Sequence, residues 1–245
     1  GKAASGTEIL CTLTNSAGEK VATANTVASA DGTFSLSFKA PAGSFESLKA
    51  AVRCGANAVY LGGKAFNARR NASNFSDEEL KLAVDYCHAR NVKVYLTLNT
   101  LVGDRELETA CEAIKCACSS NVDALILQDI GLAALVRRVS STMPMHASTQ
   151  MSVQSIEGIR ILENLGFSRA VLPRELSEKE IKAISSQTDM ELECFVHGAL
   201  CMCVSGQCLM SSVLGGRSGN RGLCAQPCRL PFGVNEKGGN KLSLK

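Results

Sequence analysis

The chain has 245 residues, 45% of them apolar and 20% charged, which is enough for one α/β barrel or two ordinary domains with a real core. A net charge of +3 is too mild to argue for nucleic acid by itself, and it does not oppose a polyanionic partner. No run is apolar for the length of a membrane span, and the opening "GKAASGTEILCTLTNSAGEK" lacks the apolar region and cleavage pattern of a signal peptide. The expectation is therefore a soluble, cytoplasmic protein with no membrane partner, whose 12 cysteines are reduced thiols rather than a disulfide framework.

Residues 1–39 form a β-rich segment. "TEILCTLTNSAGEKVATANTVASADGTFSLSFKAP" is rich in Thr, Ser and Ala, alternates with period two and carries turn signals at Ala17-Gly18 and Asp31-Gly32. About three antiparallel strands are predicted, too few for an independent sandwich.

From residue 40 to about 200 one pattern recurs: a capped amphipathic helix, a Gly or Asn stop, then a short β-branched strand ending in polar residues. "SFESLKAAVRCG" runs from Ser44 to Gly55 and precedes "NAVYLGG"; "SDEELKLAVDYCHAR" opens on a capping box of Ser76 with Glu79 and precedes "VKVYLTLNT". "DRELETACEAIKCACSSN" leads to "DALILQD", "GLAALVRRVSS" to "MPMHASTQ", and "VQSIEGIRILENLG" to "RAVLP". "SEKEIKAISSQ", capped by Ser177 with Glu180, leads to "ELECFVHG". Apolar strands alternating with helices predict parallel strands under a helical layer. With "SLSFKAPAG" as the first, seven strands result, one short of a (β/α) barrel. The fold expected is a TIM-like α/β barrel, incomplete at its C-terminal end, with an open doubly wound sheet as the alternative.

Strand ends in such a barrel line the site. Polar residues there are Asn99, Gln128, Asp129, Gln150, Arg174, Glu175 and His197. Alternation in "ELECFVHG" sets Glu193, Phe195 and His197 on the inward face, so that His197 arrives at the mouth. His197, Glu175 and Asp129 are the candidate catalytic groups; Asn99, Gln128, Gln150, Arg174, Arg217 and Arg221 are candidates for binding substrate. Pairing of Asp129 with Arg174 is the structural alternative. "KAFNARRNASNF", with Lys64, Arg69 and Arg70, and "GGRSGNRG" offer loop cations for phosphate. His88, at a helix end, reads as idle.

Residues 201–245 form a Cys- and Gly-rich segment with little periodicity, holding Cys201, Cys203, Cys208, Cys224 and Cys228. Thiols in an irregular loop have little core to fill, so a metal or cluster fits better. The spacing lacks the paired C-x2-C knuckles of structural zinc. An iron-sulfur cluster, zinc, and catalytic or idle thiols stay open on spacing alone. Cys203 reads as a bystander, and Cys54, Cys87, Cys111, Cys116 and Cys118 as small apolar residues on helices.

"ECFVHGALCMCVSGQCLMS", through Glu193, Phe195, Gly198, Cys201, Gly206, Cys208 and Ser211, resembles the collagenase-like peptidase family U32. "GGRSGNRGLCAQPCRLPF", "APAGSFESLKAAVRCGANAVYLGGKAFNAR" and "HASTQMSVQSIEGIRILENLGFSRAVLPREL" extend that resemblance over residues 40–245. It implies a TIM-like barrel with a 4Fe-4S cluster, and Cys201, Cys208 and Cys224 as ligands. Cys228 is the well-placed fourth, and zinc is the alternative metal. It also implies hydroxylation of ribosomal or transfer RNA, or of a related small molecule, with a small-molecule oxygen donor such as prephenate. The alternative activity is that of a peptidase. His-Glu-x-x-His and Gly-x-Ser-x-Gly motifs are absent, which leaves Cys201 with His197 as the pair for proteolysis. A zinc-binding barrel without hydroxylase activity is a second alternative. The oligomeric state is not encoded legibly.

Overall fold

The computed structural model describes residues 4–5, 7–14, 20–27, 30–31, 39–70, 73–198, 200–233 and 241–243. β1 (Glu8–Thr14) and β2 (Lys20–Val27) pair as an antiparallel hairpin, with Glu8 opposite Val27. The third strand expected of this segment and the Ala17-Gly18 turn lie outside the described residues.

Strict alternation follows: β3 (Lys39–Ala42), α1 (Phe45–Arg53), β4 (Ala58–Gly62), α2 (Asp77–His88), β5 (Lys93–Leu98), α3 (Leu107–Ser119) and β6 (Ala124–Leu127). Then come α4 (Ile130–Val139), β7 (Met145–Ala147), α5 (Ile156–Asn164), β8 (Arg169–Val171), α6 (Glu178–Ser185) and β9 (Glu191–Glu193). β3 to β9 form one seven-stranded parallel sheet in sequence order. The sheet is curled, with helices between its strands, so the chain is an incomplete TIM-like α/β barrel. Beyond β9 lie α7 (Met210–Gly215) and a short antiparallel pair, β10 (Pro231–Gly233) with β11 (Lys241–Ser243).

The helix starts follow from their caps. Ser44, Ser76, Ser155 and Ser177 each accept a backbone N–H from the first turn, and Ser76 and Ser177 form capping boxes with Glu79 and Glu180. Gly55, at φ +87°, takes the left-handed turn out of α1 that a side chain would strain.

Strand alternation divides the sheet into two faces. Val59, Leu61, Val94, Leu96, Leu125, Leu127, Met145 and Ala170 face the helices and pack with Leu48, Val84, Ile114, Leu132, Val136, Ile159 and Leu162. The inner face is smaller and polar. Ala58, Tyr95, Ala124 and Ile126 form its apolar part, beside His146, which stands in register between Ile126 and Arg169.

One ion pair crosses this interior, Lys39 with Glu193, and Arg169 pairs with the exposed Glu191 on the adjacent strand. Lys39 and Glu193 belong to the first and last strands of the sheet, so their contact ties its two edges across the curl. The cations of Lys39 and Arg169 each sit 5.3 Å from the centre of the Tyr95 ring. The His146 ring meets Tyr95 edge-on at 4.7 Å, and its Nδ1 lies 3.4 Å from an Arg169 nitrogen.

Burial first, then the positive charges of Arg169 and Lys39, hold the His146 imidazole neutral, with its pKa lowered from 6.5 to about 3. The unfolded chain takes up this proton near its ordinary pKa and the folded chain does not. Stability is therefore lost as pH falls below about 6.5, until the folded pKa near 3 is reached. Urea denaturation across this range should show the decline, and His146→Phe should remove about one proton from the uptake on unfolding. Equal pH slopes in the two proteins would contradict a neutral buried His146.

Candidate active site at the barrel mouth

Parallel strands deliver their C-terminal ends to one rim, and the polar residues expected there occupy it. Asn99 follows β5, Gln128 and Asp129 follow β6, Ser148 and Gln150 follow β7, and Arg174 and Glu175 follow β8. Asn99 Oδ1 accepts the Ala68 N–H at 3.0 Å, and its amide nitrogen faces the Ser148 hydroxyl at 3.5 Å. Asn67, 5% exposed, fills the space over Gly62, where a Cβ would fall 2.0 Å from its amide nitrogen.

Several rim residues position the cysteine segment. Glu175 accepts from the Ser205 backbone N–H at 3.0 Å and hydroxyl at 3.2 Å, and Ser205 is buried. Arg174 donates to the Cys203 carbonyl at 2.8 Å, with Glu175 beside it at 3.6 Å. The Ser152 hydroxyl donates to the Ser205 carbonyl. Gly206, at φ +72°, lies so close to the rim that a Cβ would sit 2.1 Å from the Gln150 carbonyl oxygen.

A second dock lies further along. Gly222, at φ +76°, approaches Asn67 so closely that a Cβ would stand 2.2 Å from its carbonyl oxygen. Arg221 beside it donates to the Leu101 carbonyl at 3.0 Å and forks onto the Glu106 carboxylate. The Arg221 guanidinium holds the Glu106 carboxyl down to about 2.

These contacts revise several expectations. Asp129 caps α4 through the Leu132 N–H at 2.8 Å, and its other oxygen accepts the Val102 N–H at 3.2 Å. Both oxygens are thereby engaged, and the ion pair expected with Arg174 is replaced by the pair of Arg174 with Glu175. The strand expected through Gly198 ends at Glu193, because Glu193 turns to Lys39 while Phe195, Val196 and His197 are exposed beyond it. Arg221 is tied to Glu106, whereas Arg217 is exposed on the loop. Lys64, Arg69 and Arg70 are exposed, and Arg70 lies beside Gly222. His88 Nε2 is hydrogen-bonded to the Asp123 carboxylate at 2.8 Å, a structural contact away from the rim.

The thiols gather under this docked loop. Cys201, Cys203, Cys208 and Cys228, with Met202, Leu209 and Met210, line a cavity of about 260 Å³. Arg229 draws the two ends of the segment together by donating to the Leu200 carbonyl at 2.6 Å. Cys203, read as a bystander, is on the cavity wall. Cys224 is off it, accepting the Gln226 N–H at 3.3 Å and lying beside Gly219. Soft thiol donors around an apolar cavity suit an iron-sulfur cluster or zinc in kind. Among the described residues no three His, Cys, Asp or Glu side chains are drawn to metal-binding distance.

The helical thiols behave differently. Cys87 is fully buried, and burial pushes its thiol up to about 11; burial likewise raises Cys116. Beyond the inward-facing Glu193, the interior network of Lys39, Tyr95, His146 and Arg169 was not anticipated. Its signal was present in strand parity, since Tyr95 shares a face with Thr97, and His146 with Ser148.

Fold and site together define an incomplete α/β barrel with a thiol-lined cavity held at the rim formed by its C-terminal strand ends. The chain matches the model of peptidase family U32 over residues 43–243 and belongs to that family. It is 41% identical over 210 residues to the 23S rRNA 5-hydroxycytidine C2501 synthase of Escherichia coli, covering 86% of this chain and 32% of that protein. It is 35% identical over 206 residues to the tRNA hydroxylation protein P1 of Bacillus subtilis, covering 84% of this chain and 49% of that one. A collagenase of Porphyromonas gingivalis is 35% identical over 210 residues, covering 81% of this chain and 50% of that one. The chain thus spans half or less of the length of these relatives. The solved U32 peptidase Mk0906 superposes with a TM-score of 0.56 at 16% identity, covering 66% of this chain and 69% of that one, and shares the fold. Among the described residues, no helix is long and apolar enough to cross a membrane.

Gly206→Ala should free the cysteine segment, because a Cβ there collides with backbone and the left-handed φ is strained as well. Limited proteolysis should then cut between residues 200 and 230 while the barrel remains protected. Uncut Gly206→Ala protein would contradict the dock.

Proposed function

We propose that this chain carries the barrel of an iron-sulfur-dependent enzyme that hydroxylates a base of ribosomal or transfer RNA. The observation that carries the reading is the thiol cavity, held at the barrel rim by Glu175, Arg174 and Gly206. The names of the relatives at 41% and 35% identity support RNA hydroxylation as the activity.

In this reading Cys201, Cys208 and Cys228 hold a 4Fe-4S cluster, with Cys224 as the remaining thiolate. The cluster supplies redox or Lewis-acid chemistry beside the rim. Converting a base C–H to C–OH takes up one oxygen atom, which we assign to a small-molecule donor such as prephenate. The protein's own part is to orient and to enclose. Asn99, Gln128 and Gln150 face the base, while Lys64, Arg69, Arg70 and Arg217 meet the phosphates. Arg174 and Glu175 keep the thiol loop in register, and Arg221 latches its far end to Glu106.

A peptidase is the second reading, favoured by the name of the collagenase relative. It needs a thiolate next to a histidine, and His197 and Cys201 are both exposed on one loop.

Anaerobic purification followed by iron and sulfide analysis separates these readings. About four of each per chain are expected, lost in Cys201→Ser and Cys208→Ser and kept in Cys54→Ser. RNA from a deletion strain should lack one hydroxylated nucleoside. Stoichiometric zinc, or cleavage of a collagen-like peptide by metal-free protein, would overturn the proposal.

A further inference from the structure

One tight turn lies between Cys203 and Cys208. The Gln207 N–H donates to the Val204 carbonyl at 3.1 Å, and Gly206, at φ +72°, takes the left-handed third position that such a turn needs. The turn is fixed to the barrel. Ser205 gives its N–H and hydroxyl to Glu175, its carbonyl accepts from the Ser152 hydroxyl, and Arg174 holds the Cys203 carbonyl at 2.8 Å.

Cys203 leads into this turn and Cys208 leads out of it. Reversal of the chain sets the residues that flank a two-residue turn opposite one another, with Cα atoms about 4.5–5.5 Å apart. A disulfide spans Cα separations of about 4.4–6.8 Å without backbone movement. The side chains agree with the backbone: both are free thiols on the wall of the 260 Å³ cavity. Burial first, and then the neighbouring Cys208 thiol, raise the Cys203 thiol. Each is partly exposed, so a small oxidant can reach them, whereas Cys87 is fully buried. Cys201 and Cys228 are the competing pair on this wall, drawn together where Arg229 holds the Leu200 carbonyl at 2.6 Å. The turn favours the first pair, because its ends are already held and closing the bond orders little more chain.

We infer that Cys203 and Cys208 are a redox modification site, a dithiol that a hydroperoxide closes to a reversible disulfide. One thiol takes an oxygen atom from the peroxide, giving a sulfenic acid and releasing water or the corresponding alcohol. The other thiol attacks that sulfur, forms the S–S bond and releases a molecule of water. Two thiols are thereby oxidised and one peroxide is reduced. The disulfide stands on the turn alone; its consequence rests on the cluster reading above, since Cys208 is then no longer available as a thiolate ligand. Oxidation closes the site to metal, and a dithiol reductant reopens it.

The test uses this chain, reduced and freed of metal by chelation under anaerobic conditions, then treated with a small excess of hydrogen peroxide. Remaining thiols are blocked with iodoacetamide, the protein is reduced, and the thiols released are labelled with N-ethylmaleimide and located by tandem mass spectrometry. The label should fall on Cys203 and Cys208 together, and dithiothreitol added before blocking should abolish it. Cys203→Ser should lose the label on Cys208, and Cys224→Ser should keep the pair. Iron and sulfide should load the reduced chain and not the oxidised one. Label on Cys201 with Cys228, or no paired label, overturns the inference and leaves the cluster reading standing. Equal iron uptake by the two forms overturns the blocking role. A reduced chain that takes up no iron overturns the cluster reading, and the labelling still decides the disulfide.

Discussion

The approach of Gly206 to the Gln150 carbonyl is the contact on which the rest of the site depends. The segment after β9 has little core of its own: Leu200, Met202, Leu209, Val213 and Leu214 are all more than 60% exposed. Its position comes from the barrel, through a glycine that lets backbone meet backbone and through Glu175, which accepts twice from the buried Ser205. The thiol cavity follows from that dock, because Cys203 and Cys208 flank Ser205 and Gly206 on either side. Residues that look catalytic by type and place, Arg174 and Glu175, are therefore positioning residues for the loop that carries the thiols.

Beneath the rim, the barrel interior is a charged and aromatic cluster. Lys39 and Glu193 connect the outermost strands, and Tyr95 lies between two cations and against a neutral imidazole. Such a network contributes little net stability unless fully paired, while loss of one member is costly. Stability rests instead on the helix-facing side, where strand residues such as Leu125 and Leu127 and helix residues such as Ile114 and Leu132 are almost wholly buried. The two faces divide the work: one holds the fold, and the other leaves polar groups free to serve the mouth.

Much of this architecture was legible in the sequence because its determinants are local. Serine caps with Glu three residues on marked α2 and α6, and seven strands were countable from their β-branched runs. Strand parity placed Gln128 at the rim. The cysteine segment was legible in composition but not in arrangement. Nothing local in "ELECFVHG" signals an end at Glu193; that end coincides with the pair to Lys39, 154 residues away. Asp129 had two readings by type, catalytic group or partner of Arg174, and its contacts with the α4 start and the Val102 N–H replace the second. The Arg221 fork to Glu106 spans 115 residues and engages a cation that the sequence offers to phosphate.

The most direct test of this account is hydrogen exchange at the Ser205 amide, whose N–H is bonded to Glu175 at 3.0 Å. If the thiol segment is docked as described, this amide is protected and opens together with those of β8. Exchange at the rate of an unstructured peptide would show that the cysteine loop is not held at the barrel mouth, and the site built on it would fall.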